Sequence, residues 1–113
     1  MHEFSVANHL LELSLKNAAE NSSRYISKIS IKIGKLSGVE PHFLRSAFDI
    51  LKEKTIAEKA ELEIIHQDIV IFCNNCGKEF TLTENDFCCP ECKGKDIRVT
   101  DGEDMMLMSM ELL

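Results

Sequence analysis

No apolar run in these 113 residues approaches the roughly 20 that span a bilayer, and the opening residues lack a basic stretch followed by an apolar core of about 7–15 residues. Neither secretion nor membrane insertion is expected, and the chain reads as a folded cytoplasmic protein. Positive charge is also scarce. Thirteen Lys and Arg face nineteen Asp and Glu, for a net charge of −6, which argues against a binder of phosphate backbones, since that chemistry relies on clustered cations. No nucleophile stands in a pattern that pairs it with a base, nor is there an open metal position beside an acid-base residue, so no enzyme is expected. Repeats are absent apart from two cysteine pairs, and low-complexity sequence is absent apart from the methionine-rich stretch Met105 to Met110.

What is present reads as one small α+β core carrying a module too small to bury a core of its own. Phe4, Ala7, Leu11, Leu15 and Ala18 recur at helical spacing, with Leu10 widening the stripe, so a helix should begin directly after Glu3. From Tyr25 the period changes. Ile29, Ile31 and Ile33 alternate with Lys28, Ser30 and Lys32, the pattern of a strand with one buried face. Pro41 fits the first turn of a second helix facing inward through Leu44, Ala47, Phe48 and Leu51. A second strand is expected over residues 61–68, and Ile69-Val70-Ile71-Phe72 extends that run into the first cysteine pair. A short strand follows at residues 97–99, then a turn at Thr100-Asp101-Gly102. Met106, Met108, Met110 and Leu112 alternate with Leu107, Ser109 and Glu111, which predicts a final strand returning to the first sheet with those methionines on one face packed beneath the helices.

All five cysteines lie between positions 73 and 92. In a reducing compartment that clustering points to metal ligands, not to disulfides. Each Cys-x-x-Cys turn converges two sulfurs on one point, so Cys73 with Cys76 and Cys89 with Cys92 supply the four tetrahedral ligands of a structural site. The twelve residues between Cys76 and Cys89 are enough for a hairpin that brings the pairs together. Gly77 and Gly94 relieve the backbone where it wraps around sulfur. Cys88 is surplus; because Cys-Pro-x-Cys is the better turn, Cys89 is the ligand and Cys88 a free thiol. Zinc is favoured, with iron as the competing metal for the same ligand set.

The N-terminus, Met1-His2-Glu3, offers a different chemistry. The α-amine and the amide nitrogen of His2 close a five-membered chelate ring, that amide and the His2 Nδ1 close a six-membered one, and the Glu3 amide nitrogen completes a planar set of four. Ionising backbone amides near neutral pH requires a metal that gains strongly from a square-planar field, which means Ni(II) or Cu(II) and not zinc. Taken alone the motif is a weak signal, because a histidine at position 2 more often occurs by accident than as a metal ligand.

Met-His-Glu-Phe-Ser leading into an amphipathic helix, the segment Ile33-Gly34-Lys35-Leu36-Ser37-Gly38-Val39-Glu40-Pro41, and a Cys-x-x-Cys followed by Cys-Pro-x-Cys together resemble the HypA/HybF family of hydrogenase maturation factors, which deliver nickel. The resemblance implies that His2 is the nickel ligand, with the Met1 amine and nearby backbone nitrogens completing the site and Glu3 contacting or tuning it. It implies structural zinc on Cys73, Cys76, Cys89 and Cys92. It further implies docking on a maturation GTPase and on the hydrogenase large-subunit precursor, with urease maturation factors as further candidate partners. Some relatives carry a histidine directly after each cysteine pair, allowing a pH-dependent exchange of zinc ligands. Those positions here are Gly77 and Lys93, so no such switch is expected.

The expected architecture is therefore a nickel-binding α+β domain of two helices and a small sheet, residues 1–69 and 102–113, with a Cys₄ zinc-ribbon module inserted at 70–101. The alternative is a zinc-ribbon interaction or nucleic-acid adaptor without metal transport, against which the acidic composition counts. His9 is read as a polar surface or partly buried residue, His42 as a solvent-facing one and His66 as packing at the end of the Leu62–Ile64 face. The methionines read as core filler, with soft copper ligation the lesser alternative. The mixed charges from Lys52 to Glu61 read as a solvated surface.

Overall fold

The computed structural model describes residues 3–83 and 86–113. The described elements are α1 (Glu3–Glu20), β1 (Ile26–Gly34), α2 (Pro41–Leu51), β2 (Glu61–Gln67), β3 (Ile69–Cys73), β4 (Lys78–Leu82), β5 (Ile97–Asp101) and β6 (Met105–Leu112). They build two three-stranded sheets, ordered β2-β1-β6 and β4-β3-β5.

The first sheet is organised around β1, which pairs parallel to β2 and antiparallel to β6. A parallel pair needs a crossover, and α2 supplies it. Ile29, Ile31 and Ile33 form the buried face of β1, as their alternation predicts. Against them pack Leu44, Ala47 and Phe48 of α2 and Ala7, Leu10, Leu11 and Ala18 of α1. The helices therefore lie over the isoleucine face. The stripe of α1 centres on Ala7 and Ser14, which leaves Phe4 at its margin and brings Glu3 inside; Phe4, expected in the core, is 50 % exposed, and Glu3 only 8 %. The buried Ser14 hydroxyl donates to the Leu10 carbonyl at 2.8 Å, so its burial leaves no unpaired polar group.

β6 returns to the first sheet, but not with the expected facing. Its register against β1 slips between Ser30–Ser109 and Ile31–Leu107, leaving Met108 as an extra residue. A bulge of this kind reverses the alternation beyond it. Met105, Leu107, Met110 and Leu112 pack against the core, while Met106 and Met108 stand half exposed. The methionines are thus divided between surroundings and do not form one thioether face. His66, at the outgoing end of the edge strand β2, is exposed and does not pack.

The second sheet has β3 at its centre with β4 and β5 antiparallel on either side. Its apolar cluster is small: Ile69, Ile71 and Leu82, with Phe80, Ile97 and Val99 packed around them. Ile69 opens this sheet and packs in its cluster. Thr100 and Asp101, read as part of a turn, remain in β5, and the reversal falls on Gly102, whose φ is 97°.

The sheets meet where β2 passes into β3 through Asp68 and β5 into β6 through Gly102 to Asp104. A Cβ on Gly34 would collide with the Gly102 carbonyl, and one on Gly102 would come within 2.7 Å of the Asp68 oxygen. Backbone therefore packs directly on backbone. The Leu36 N–H donates to Gly102 at 2.8 Å, and the Lys32 ammonium meets the Asp101 carboxylate at 2.9 Å across the same joint. No helix among the described residues is long and apolar enough to cross a membrane.

Candidate metal centres

β3 ends in Cys73, and the chain turns so that the Cys76 N–H donates to the Cys73 sulfur at 3.4 Å while the Gly77 N–H donates to the Cys73 carbonyl at 2.8 Å. The second turn repeats the first. The Cys92 N–H donates to the Cys89 sulfur at 3.4 Å, and the Lys93 N–H to the Cys89 carbonyl at 2.9 Å. The residue after each pair takes the left-handed conformation, Gly77 at φ 68° and Lys93 at φ 61°. The relieving glycine is thus present in the first turn only. Gly94, given that role in the sequence reading, has no left-handed φ; its N–H donates to the Cys92 sulfur at 3.4 Å.

The sulfurs of Cys73, Cys76, Cys89 and Cys92 all lie within 4.8 Å of one another. The pairs Cys73–Cys92 and Cys76–Cys89 are each 3.7 Å apart, close to the edge of about 3.8 Å in a tetrahedron of Zn–S bonds of about 2.3 Å. Crowding splits their acidities. Burial, reinforced by the neighbouring thiols, pushes Cys76 up to about 12. Cys89 is opposed by burial too, yet the N–H groups of Cys92 and Glu91 bring it down to about 7. Four thiolates in so small a space repel one another unless a divalent cation lies among them. Distance, N–H···S bonding and charge all fit a structural zinc ion. Cys88 falls outside the quartet, as expected.

Met1 and His2, the expected nickel ligands, lie outside the described residues. Glu3 is described, and its carboxylate accepts a hydrogen bond from the Glu40 N–H at 3.3 Å. Glu40 in turn caps α2, its Oε2 accepting from the N–H groups of His42 at 2.9 Å and Phe43 at 3.3 Å. The starts of the two helices therefore sit side by side. The sequence reading places Glu40 directly before the Pro41 helix start but gives its side chain no role; the cap it makes is seen only in the fold. His9 and His42 are exposed, as expected, and among the described residues no second group of His, Cys, Asp and Glu gathers in ligand geometry.

These features define a small α+β protein with a zinc ribbon inserted ahead of the strand that closes its helix-covered sheet. Residues 1–112 match the family described as "Hydrogenase/urease nickel incorporation, metallochaperone, hypA", and the chain belongs to the HypA family, the nickel metallochaperones of hydrogenase maturation. It is 45 % identical over 112 residues to the hydrogenase maturation factor HypA of Aquifex aeolicus, covering 99 % of this chain and 97 % of that one. The corresponding factor of Shewanella baltica is 42 % identical, with 99 % and 96 % covered. The solution structure of the Ni metallochaperone HypA from Helicobacter pylori superimposes with a TM-score of 0.74 at 30 % identity, covering all of this chain and 98 % of that one. A second HypA solution structure gives 0.77 at 30 % identity, with 97 % of its chain covered.

Proposed function

We propose that this chain carries Ni(II) on its first three residues and releases it to the hydrogenase large-subunit precursor after docking on a maturation GTPase. The observation that carries the reading is the place of Glu3 in the first turn of α1. The first N–H groups of a helix have no carbonyl partner within the helix. The Glu3 amide therefore lies where its ionisation breaks no intrahelical hydrogen bond. The charge balance also suits the place. Two amidates, a neutral amine and a neutral imidazole make a complex with Ni(II) of zero net charge, which the positive end of a helix does not repel.

In this reading the protein is a cytoplasmic carrier and not an enzyme. Apart from Ile69, which opens the second sheet, residues 1–69 and 102–113 form the nickel-binding domain and residues 70–101 the zinc-binding domain, and urease maturation factors are further candidate partners. Calorimetric nickel titration of the untagged protein tests the proposal against two variants. One extra residue before Met1 displaces the amine and moves His2 to third place, and should weaken binding sharply; His2→Ala should weaken it further, while His9→Ala, His42→Ala and His66→Ala should matter little. Binding should also fall on acidification, because an α-amine of roughly pKa 7.7–8.0 and an imidazole near about 6.5 must lose protons to coordinate. Equal affinity in wild type, extension and His2→Ala would eliminate the N-terminal site.

A further inference from the structure

Glu3 is the one charged side chain on the buried stripe of α1. Its place there is not explained by packing, because a carboxylate among apolar neighbours costs free energy unless it is bonded. It is bonded, to the N–H of Glu40, on the far side of a sequence separation of 37 residues. That amide belongs to the residue whose own carboxylate caps the first turn of α2. Three carboxylate-to-amide hydrogen bonds thus run from the first turn of α1 through Glu40 into the start of α2.

Resting on the nickel reading above, we propose that the Glu3 carboxylate is a positioning group and not a nickel ligand. By holding the Glu40 amide it fixes the backbone of its own residue, and the Glu3 amide nitrogen is the fourth donor of the planar set. A ligand carboxylate would have to leave Glu40, and a planar nitrogen set has no place for it. The cap of α2 is then the seat on which the nickel-binding end is built, although neither Glu40 nor any residue of α2 touches the ion. Pre-organising a donor in this way raises affinity without adding a contact.

Three untagged proteins separate the possibilities: wild type, Glu3→Gln and Glu3→Ala. A glutamine oxygen still accepts from the Glu40 N–H, whereas alanine leaves that amide without its partner. Nickel affinity should drop about tenfold in Glu3→Ala, the usual effect of losing one hydrogen bond to a charged group, and should be largely restored in Glu3→Gln. The visible absorption band of planar Ni(II) should keep its position in all three, because the donors are unchanged. A band shift in Glu3→Gln, or a loss there equal to that in Glu3→Ala, would make the carboxylate a ligand and overturn the proposal. Unchanged or tighter binding in Glu3→Ala would overturn it as well, reducing the contact to a fold anchor. Amide hydrogen exchange at Glu40, read without nickel, should quicken in Glu3→Ala and stay near wild type in Glu3→Gln; unaltered exchange in both would show that no anchor exists. This arm distinguishes the two failures, since an absent N-terminal nickel site would leave the exchange result standing.

Discussion

The two sheets hold together by different means. The first has a continuous apolar layer running from Ala7 and Leu10 through Ile29, Ile31 and Phe48 to Leu62. The second buries little more than Ile69, Ile71 and Leu82. At about 25 cal/mol per Å² of apolar surface removed from water, the first can offset its ordering entropy by burial and the second cannot. What the second has instead is four converging sulfurs. Two adjoining regions of one short chain thus show how metal coordination substitutes for a core.

The sharpest way to break that comparison is to remove a sulfur. Cys73→Ala or Cys89→Ala should abolish zinc binding and the order of β3, β4 and β5, because structural zinc supplies about 10–16 kcal/mol to modules of this kind. The helical circular-dichroism signal of α1 and α2 should largely survive. Cys88→Ala should retain zinc in full. If helix and ribbon signals vanished together on chelation, the contrast between the two regions would be wrong.

The reciprocal change is Phe48→Ala, which empties the centre of the first core and should cost about 3–5 kcal/mol. Denaturant unfolding followed by helical signal would report it, with zinc content per chain staying near one. At the joint, Gly34→Ala places a methyl group on the Gly102 backbone and should destabilise both sheets by roughly 1–3 kcal/mol; amide exchange slowed or unchanged in either sheet would count against their coupling there.

A smaller gain is available in the second turn. Lys93 holds the left-handed backbone that Gly77 adopts freely in the first, so Lys93→Gly should slow zinc loss to a chelator by an amount corresponding to about 0.5–1 kcal/mol. Smallest of all is the pH effect of the part-buried pair across the joint. The hydrogen bond from Lys32, aided by the Gly102 N–H, holds the Asp101 carboxyl below its usual value. A carboxylate depressed in the folded state stabilises above its unfolded pKa, near about 3.9, and loses that contribution as pH falls through the folded value. Nuclear magnetic resonance titration should place Asp101 below the other aspartates, and Lys32→Met should return it towards them.

Much of this architecture was legible in the sequence because it rests on short-range periodicity. The isoleucine alternation located β1, Pro41 located the start of α2, and the cysteine spacing located the quartet. The misses share a different cause. Nothing local marks Met108 as the extra residue of a bulge, since the slip is defined only by β1 across from it. β4 went unrecognised because Lys78-Glu79-Phe80-Thr81-Leu82 has little apolar alternation and is a strand by virtue of pairing with β3. Phe4 falls outside the core and Glu3 inside it because α1 is covered by a neighbouring helix whose position no helical pattern records. In the candidate sites, the proposed nickel donors of the first three residues follow from their covalent order alone, but the Glu3–Glu40 contact joins distant segments and becomes visible only in the fold.

The return of β6 to the first sheet has a kinetic and entropic side. To pair with β1, the chain must close the whole excursion from Gln67 to Met105. Loop-closure entropy grows with the logarithm of length, about 0.6 kcal/mol per doubling. Zinc capture ties Cys73 and Cys76 to Cys89 and Cys92, and with β3 paired to β5 the excursion shrinks from roughly 35 flexible residues to a few, worth about 2 kcal/mol on that scale. The ion therefore acts at a distance as a clasp on the first sheet, making the docking of its third strand easier once the ribbon has formed.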